Sequence, residues 1–210
     1  MIYPDDSQLR VVWRAQRSPF PKMNLDDQIG LRLLNVARRA IHAAVAGEPR
    51  LDDREPWDAV PHAGVFVTLR KFSHLRGCIG TFSQDGALHD VVADIAAAAT
   101  RDPRFHIRPI AASELNDIRI ELSVLSPRQR ILDHDLFEHG RHGIYLQHGY
   151  HVGCFLPDVG ADVGWDRETF LTELCRQKAG LSPDAWRDPQ TELHVFTVRK
   201  FCENPPRLEH

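Results

Sequence analysis

The chain has 210 residues, 42% hydrophobic and 26% charged, the make-up of a soluble globular protein with one large core or two small ones. A net charge of −3 supplies no basic field for nucleic acid or an anionic membrane, and no apolar run approaches the roughly 18 residues of a membrane helix. The four cysteines form no CxxC pair and the first 17 residues lack a secretory pattern, so the expected compartment is the reducing cytoplasm.

Residues 1–24 contain prolines without periodicity and read as an irregular N-terminal arm. Asp26 and Asp27 then cap a helix with Ile29, Leu33, Val36, Ala37, Ala40, Ile41 and Ala44 on one stripe, stopped by Gly47. A polar loop over about 48–61 holds Trp57. Residues 65–70 alternate, and a turn at 71–74 returns the chain into a strand at 75–79. This predicted hairpin has Val65, Val67, Leu69, Leu75 and Ile79 on its apolar face, and Thr68, Arg70, Arg76 and Cys78 on the other. Leu88, Val91, Val92, Ile95 and Ala99 mark the next helix. Arg101-Asp102-Pro103 ends it, because the residue before a proline disfavours the helical region. Residues 118–125 alternate again, with Arg119, Glu121 and Ser123 facing away from the core.

The second half repeats this order. Residues 142–147 and 150–156 predict a hairpin around His148-Gly149, and its second strand carries another Gly-Cys pair, Gly153-Cys154. A helix capped by Asp166 follows, with Phe170, Leu171, Leu174 and Cys175 inward. Arg187-Asp188-Pro189 then echoes Arg101-Asp102-Pro103, and residues 193–198 supply a closing strand. The expectation is one domain over 25–200, with repeats at about 62–127 and 140–199. Residues 201–210 read as a tail whose end, Leu208-Glu209-His210, resembles a tag scar. The predicted fold class is α+β, with two structural repeats of strands and helices sharing one mixed, barrel-like sheet.

The chemistry concentrates in the first repeat. Leu75-Arg76-Gly77-Cys78-Ile79-Gly80 sets a thiol between two glycines with a guanidinium two residues before it, on the same predicted face. Thr68, Arg70, Arg76, Cys78, Arg104, Glu121 and Ser123 are expected to converge on a small anionic ligand. In that reading arginines clamp the anion, Cys78 is the nucleophile and Glu121 the acid or base. Two alternatives stand beside it: Cys78 as a small core residue, and Glu121 in a structural ion pair. His134, His139, His142, His148 and His151 crowd one segment without metal-ligand spacing and read as surface groups, so no metal or cofactor is expected. His74, on the Cys78 face, lies about 13 Å from it along the strand. Trp165 and Trp186 read as core anchors.

The LRGCIG string belongs with several others: Ala99-Thr100-Arg101-Asp102-Pro103-Arg104-Phe105, Ser123-Val124-Leu125-Ser126-Pro127, Gly140-Arg141-His142-Gly143, Gly164-Trp165-Asp166 and Lys178-Ala179-Gly180-Leu181. Together they resemble the AMMECR domain family over about residues 26–198. The resemblance implies an α+β fold of two repeats around a barrel-like sheet, and no established activity. It also implies a role beside a Memo-like protein and a radical-SAM protein, although this chain lacks the CxxxCxxC that would hold a cluster. Carried over by position, the signature residues are Arg76, Gly77, Cys78, Gly80, Arg101, Asp102 and Arg104. The chain departs from the pattern by an extra residue near Cys175-Arg176-Gln177-Lys178 and by its histidine-rich segment. Three functions remain: a ligand-binding or catalytic site centred on Cys78, a non-catalytic interaction module using the same arginine-rich face, and RNA binding through Arg101, Arg104, Arg108 and Arg119. The negative net charge disfavours the last.

Overall fold

A computed structural model describes Met23 and residues 25–49, 60–105 and 108–203. Apart from Met23, the predicted arm lies outside them, as does most of the loop holding Trp57. Helix α1 spans Asp27–Ala46. The Asp26 carboxylate caps it by accepting from Ile29 N at 2.8 Å, and Gly47 ends it in the left-handed conformation, φ 73°. Strands β1 (Gly64–Lys71) and β2 (His74–Thr81) form the expected hairpin, followed by α2 (Leu88–Ala99) and β3 (Ile118–Leu125). The short β4 (Gln129–Ile131) leads to the second hairpin, β5 (Gly143–His148) and β6 (His151–Phe155). Helix α3 (Arg167–Leu174) runs on through a π-helical turn, Cys175–Ala179, before β7 (Glu192–Phe196) and β8 (Val198–Cys202) close the fold.

The α+β class holds. The strands, expected in one mixed sheet, divide instead into two sheets, β2-β1-β3-β8 and β6-β5-β7-β4, and every pairing among them is antiparallel. Each sheet has its own helical cover, which is why they separate. Leu33, Ala37 and Ile41 of α1 and Val92 and Ala96 of α2 pack on Val65, Val67, Leu69, Ile120 and Leu122, whereas Phe170, Leu171 and Leu174 of α3 pack on Ile144, Leu146 and Val195. A third, smaller core joins them: Ala63, Leu125, Phe196 and Val198, with Phe66, Phe82, Tyr145 and Cys154 against it.

The second sheet takes four strands consecutive in the chain, whereas the first draws its fourth, β8, from beyond them. After β3 the chain crosses to pair β4 with β7, and after β7 it crosses back to pair β8 with β3. The crossings touch: Ser126 N donates to Thr197 O at 2.9 Å and Thr197 N to Ser126 Oγ at 3.0 Å. Strand β8 extends past the boundary expected at 200 and is pinned from both sides. The Phe201 ring lies where a Cβ on Gly30 of α1 would stand, and Glu203 N donates to Ile120 O at 3.0 Å. Arg38 of α1 holds the same end, giving Nε to Glu203 Oε1 at 3.0 Å and Nη2 to Ile118 O at 2.7 Å. Among the described residues, no helix is long and apolar enough to cross a membrane.

Candidate functional site

Strand register sets a row of side chains across the helix-free face of the first sheet. Cys78 stands opposite Thr68, Thr68 opposite Glu121, and Glu121 opposite Cys202. Thr68 Oγ1 donates to Cys78 Sγ at 3.3 Å. Glu121 is held from the neighbouring row by Arg70, whose Nε reaches Oε1 at 3.1 Å. Burial, then the charge of Glu121, push the Cys202 thiol up. Gly80, Phe66, Ser123 and Lys200 form the next row, with the Phe66 ring lying over Gly80.

Cys78 belongs to an edge strand, and its outward backbone groups are satisfied by side chains rather than by another strand. Cys78 N donates to Asp102 Oδ2 at 2.8 Å, and Arg104 Nη2 donates to Cys78 O at 2.8 Å. Arg104 also closes on Asp102, through Nη2 to Oδ2 at 2.7 Å, Nε to Oδ1 at 3.1 Å and its backbone N to Oδ1 at 3.0 Å. The Asp102 side chain is 1% exposed and that of Arg104 59%, so a buried carboxylate holds an open guanidinium in place. The Arg104 side-chain bond, opposed by burial and aided by Cys78 N–H, holds the Asp102 carboxyl well below the ordinary carboxylate range. Asp102, in turn, raises Arg104.

Gly77 makes this meeting possible. A Cβ there would stand 2.2 Å from the Ala99 carbonyl oxygen, so only glycine lets the end of α2 come down on β2 and deliver Asp102. The LRGCIG and RDPR strings are thus two halves of one contact.

Other candidates lie elsewhere. A β-bulge sets Leu69 opposite Gly77 and Arg70 opposite Leu75, leaving Arg76 as the extra residue. It therefore does not share the Cys78 face. Arg76 joins Lys71, which alternation puts on the opposite side, and both bind Glu114, Arg76 Nη2 at 3.0 Å from Oε2 and Lys71 Nζ at 3.4 Å from Oε1. The same slip moves Leu75 off the expected apolar face and changes the parity that aligned His74 with Cys78. The Arg76 side-chain bond, opposed by burial and aided by Ala111 N–H, lowers Glu114 to about 2. Arg101 turns to α1, giving Nη2 to Ala44 O at 3.3 Å in a last turn that has no basic residue of its own. Arg119 Nε donates to Glu203 O at 2.6 Å. These arginines face separate protein groups and form no continuous stripe.

Glu114 and Glu203 were not among the expected site residues. The i+3 spacing of Glu114 from Ala111, whose N–H it accepts at 3.2 Å, was the only local signal for either. Of the five clustered histidines, His134 and His151 are exposed as expected, but His142 is fully buried and its Nδ1 accepts from Glu138 N at 3.2 Å. Burial pushes its imidazole below the ordinary histidine value. Trp186 is buried and Trp165 packs against the second core. Among the described residues, no group of three or more His, Cys, Asp or Glu is placed to hold a metal ion.

The family model described as AMMECR1 matches residues 34–201. A protein of Methanothermobacter thermautotrophicus is 39% identical over 184 residues, covering 83% of this chain and 94% of that one. Protein MK0488 of Methanopyrus kandleri is 37% identical over 196 residues, 88% of this chain and 92% of that one. The crystal structure of the uncharacterized protein PH0010 from Pyrococcus horikoshii is similar with a TM-score of 0.75 and 34% identity, covering 87% of this chain and 95% of that one. A family model spanning most of the chain, with relatives matched over nearly their whole length, shows that this chain belongs to the AMMECR1 family.

Proposed function

We propose that the edge formed by Cys78 and Arg104 binds a small anionic ligand, with Cys78 as the nucleophile that meets it. The observation that carries this reading is the Asp102–Arg104 pair. Asp102 and Cys78 O engage Nε and Nη2 of the guanidinium, which leaves Nη1 outside those bonds on a side chain 59% exposed. A fixed, half-open guanidinium beside a thiol suits a carboxylate or phosphate. Thr68 stands between Cys78 and Glu121 in the row and donates its hydroxyl to the Cys78 sulfur, with Glu121, the acid or base of this reading, one strand further on. Four free cysteines support a reducing, cytoplasmic setting.

Paired alkylation tests the reading. Cys78 is expected to react faster with anionic iodoacetate, relative to neutral iodoacetamide, than it does in the unfolded chain. Arg104→Gln should remove that preference and Arg104→Lys restore part of it. Preference ratios that match the unfolded chain and ignore both variants would sink the anion site.

A second reading, docking of a protein partner of the Memo-like or radical-SAM kind implied by the family, is favoured by Phe72. This aromatic sits at the tip of the β1–β2 hairpin, 59% exposed, with a φ of 56° that bulky residues rarely adopt. Phe72→Ala should then abolish co-purification of such a partner without changing Cys78 alkylation. Capture that survives the substitution removes Phe72 as the anchor.

A further inference from the structure

The row beside Cys78 holds an aromatic side chain to which the anion site so far gives no part. Phe66 stands opposite Gly80 and diagonal to Cys78, so its ring and the thiol share the helix-free face. A Cβ on Gly80 would lie 2.0 Å from Cδ1 of Phe66, and the glycine is what lets the ring fold down onto β2. Phe82 meets the same ring edge-on, 5.1 Å between centroids, and holds it there.

This part of the face is open to solvent. Gly80 is exposed, and Cys78 and Phe66 are each partly exposed. The surroundings of the thiol then decide where an apolar group can go. Along its own row, Thr68 is followed by Glu121, whose carboxylate is held by Arg70 at 3.1 Å. The row on one side pairs Leu75 with Arg70, a charged neighbour for any apolar group. Past the outer edge of β2 lies the Arg104 guanidinium. The remaining side is the row of Gly80 and Phe66, which turns polar only further on, at Ser123 and Lys200.

We propose that Phe66 is the specificity-determining residue of this site and that the ligand is a carboxylate carrying an aromatic group. The inference rests on the Cys78–Arg104 reading and names the class of its ligand. The carboxylate meets Nη1 of Arg104, and the aromatic group lies against the Phe66 ring. Diagonal positions on a sheet stand about 7–8 Å apart, within reach of a ring on a short spacer. Glu121, in the row of Cys78, opposes a second negative charge and so favours a monoanion over a phosphate dianion.

The test is iodoacetamide labelling of Cys78 in the whole chain, read by mass spectrometry, with 3-phenylpropanoate and acetate as protecting ligands. Phenylpropanoate should half-protect Cys78 at a concentration at least about tenfold below that of acetate. Phe66→Ala should close most of that gap. If Phe66→Ala does not fold, because the ring also packs on Phe82, Gly80→Ala takes its place, since the added Cβ displaces the ring. The two acids on the unsubstituted chain decide without either variant. Equal protection by both, in a chain whose Cys78 keeps its iodoacetate preference, overturns this inference and leaves the anion site standing. Loss of that preference removes the site and the inference with it. A gap undiminished in Phe66→Ala overturns the role of Phe66, and half-protection by phenyl phosphate at a lower concentration than phenylpropanoate overturns the carboxylate assignment.

Discussion

Each sheet has an edge strand carrying a Gly-Cys pair, and the two pairs live in different surroundings. On β2, Gly77 admits the end of α2 at a distance that no other residue allows, and Asp102 and Arg104 take the outward N–H and C=O of Cys78. On β6, Gly153 faces the π-helical turn, where a Cβ would stand 3.0 Å from Ala179 N. The second Arg-Asp-Pro never reaches this strand. Asp188 is exposed and accepts from Gln190 N at 2.8 Å, while Arg187 pairs with Glu168 at 3.1 Å. The thiols differ accordingly, Cys78 beside a hydroxyl and a guanidinium, Cys154 against the aromatic core between the sheets. Matching order along a chain does not make matching places in space. What decides is where the helix ends.

The largest expected difference is in thiol chemistry. With its pKa pushed up to about 12 by burial, Cys154 should alkylate at pH 8 at least about 1,000-fold more slowly than an ordinary thiol, and Cys78 well ahead of it. Equal rates, read by mass spectrometry at each site, would erase the distinction. Next comes the glycine pair. Gly77→Ala must displace backbone and should cost about 3 kcal/mol in urea unfolding, Gly153→Ala about 1 kcal/mol.

The aspartates should separate by less. Asp102→Asn disturbs a buried acceptor of several bonds and should cost about 2 kcal/mol, against about 0.5 kcal/mol or less for Asp188→Asn. A mild acid dependence is the smallest effect. Asp102 and Glu114 hold their protons less tightly folded than unfolded. Their contribution is complete above the ordinary carboxylate range and disappears as pH falls, for Glu114 between 4.5 and about 2. Asp166, capping α3, shifts the same way through its bonds to Thr169, but it is exposed and should add little. Glu114→Gln should therefore flatten the acid limb of a stability–pH curve, whereas a curve of unchanged slope would remove Glu114 from the account.

Much of this fold was legible because its periodicity is strong. The Asp26 cap, the Gly47 stop and the alternation over Ile118–Leu125 all stand where local patterns predict them. Strand β4 is three residues long and β8 mixes Arg199 and Lys200 with Val198 and Phe201, so neither carries a local signal, and both take their place from a partner distant in sequence. With those two strands unread, the division into two sheets was invisible. At the site, Thr68, Cys78, Asp102 and Arg104 do come together. Arg76 does not, because a one-residue bulge reverses strand parity and nothing in the alternation of residues 75–79 announces it.

The crossing of β4 and β8 has a consequence for how the chain matures during synthesis. The first sheet contains the candidate thiol, yet its fourth strand is β8, and Arg38 near the start of the fold waits for Glu203 near its end. A nascent chain that has emitted only its first half can form the β1–β2 hairpin and α2, but β3 keeps an open edge until residues 198–203 leave the ribosome. Such pairing across the length of the chain makes for slow closure and an exposed strand in the interval. Completion of the first-made sheet thus waits for the last strand to be synthesised, and a truncation at residue 197 should harm the β1–β3 sheet before it harms the second hairpin.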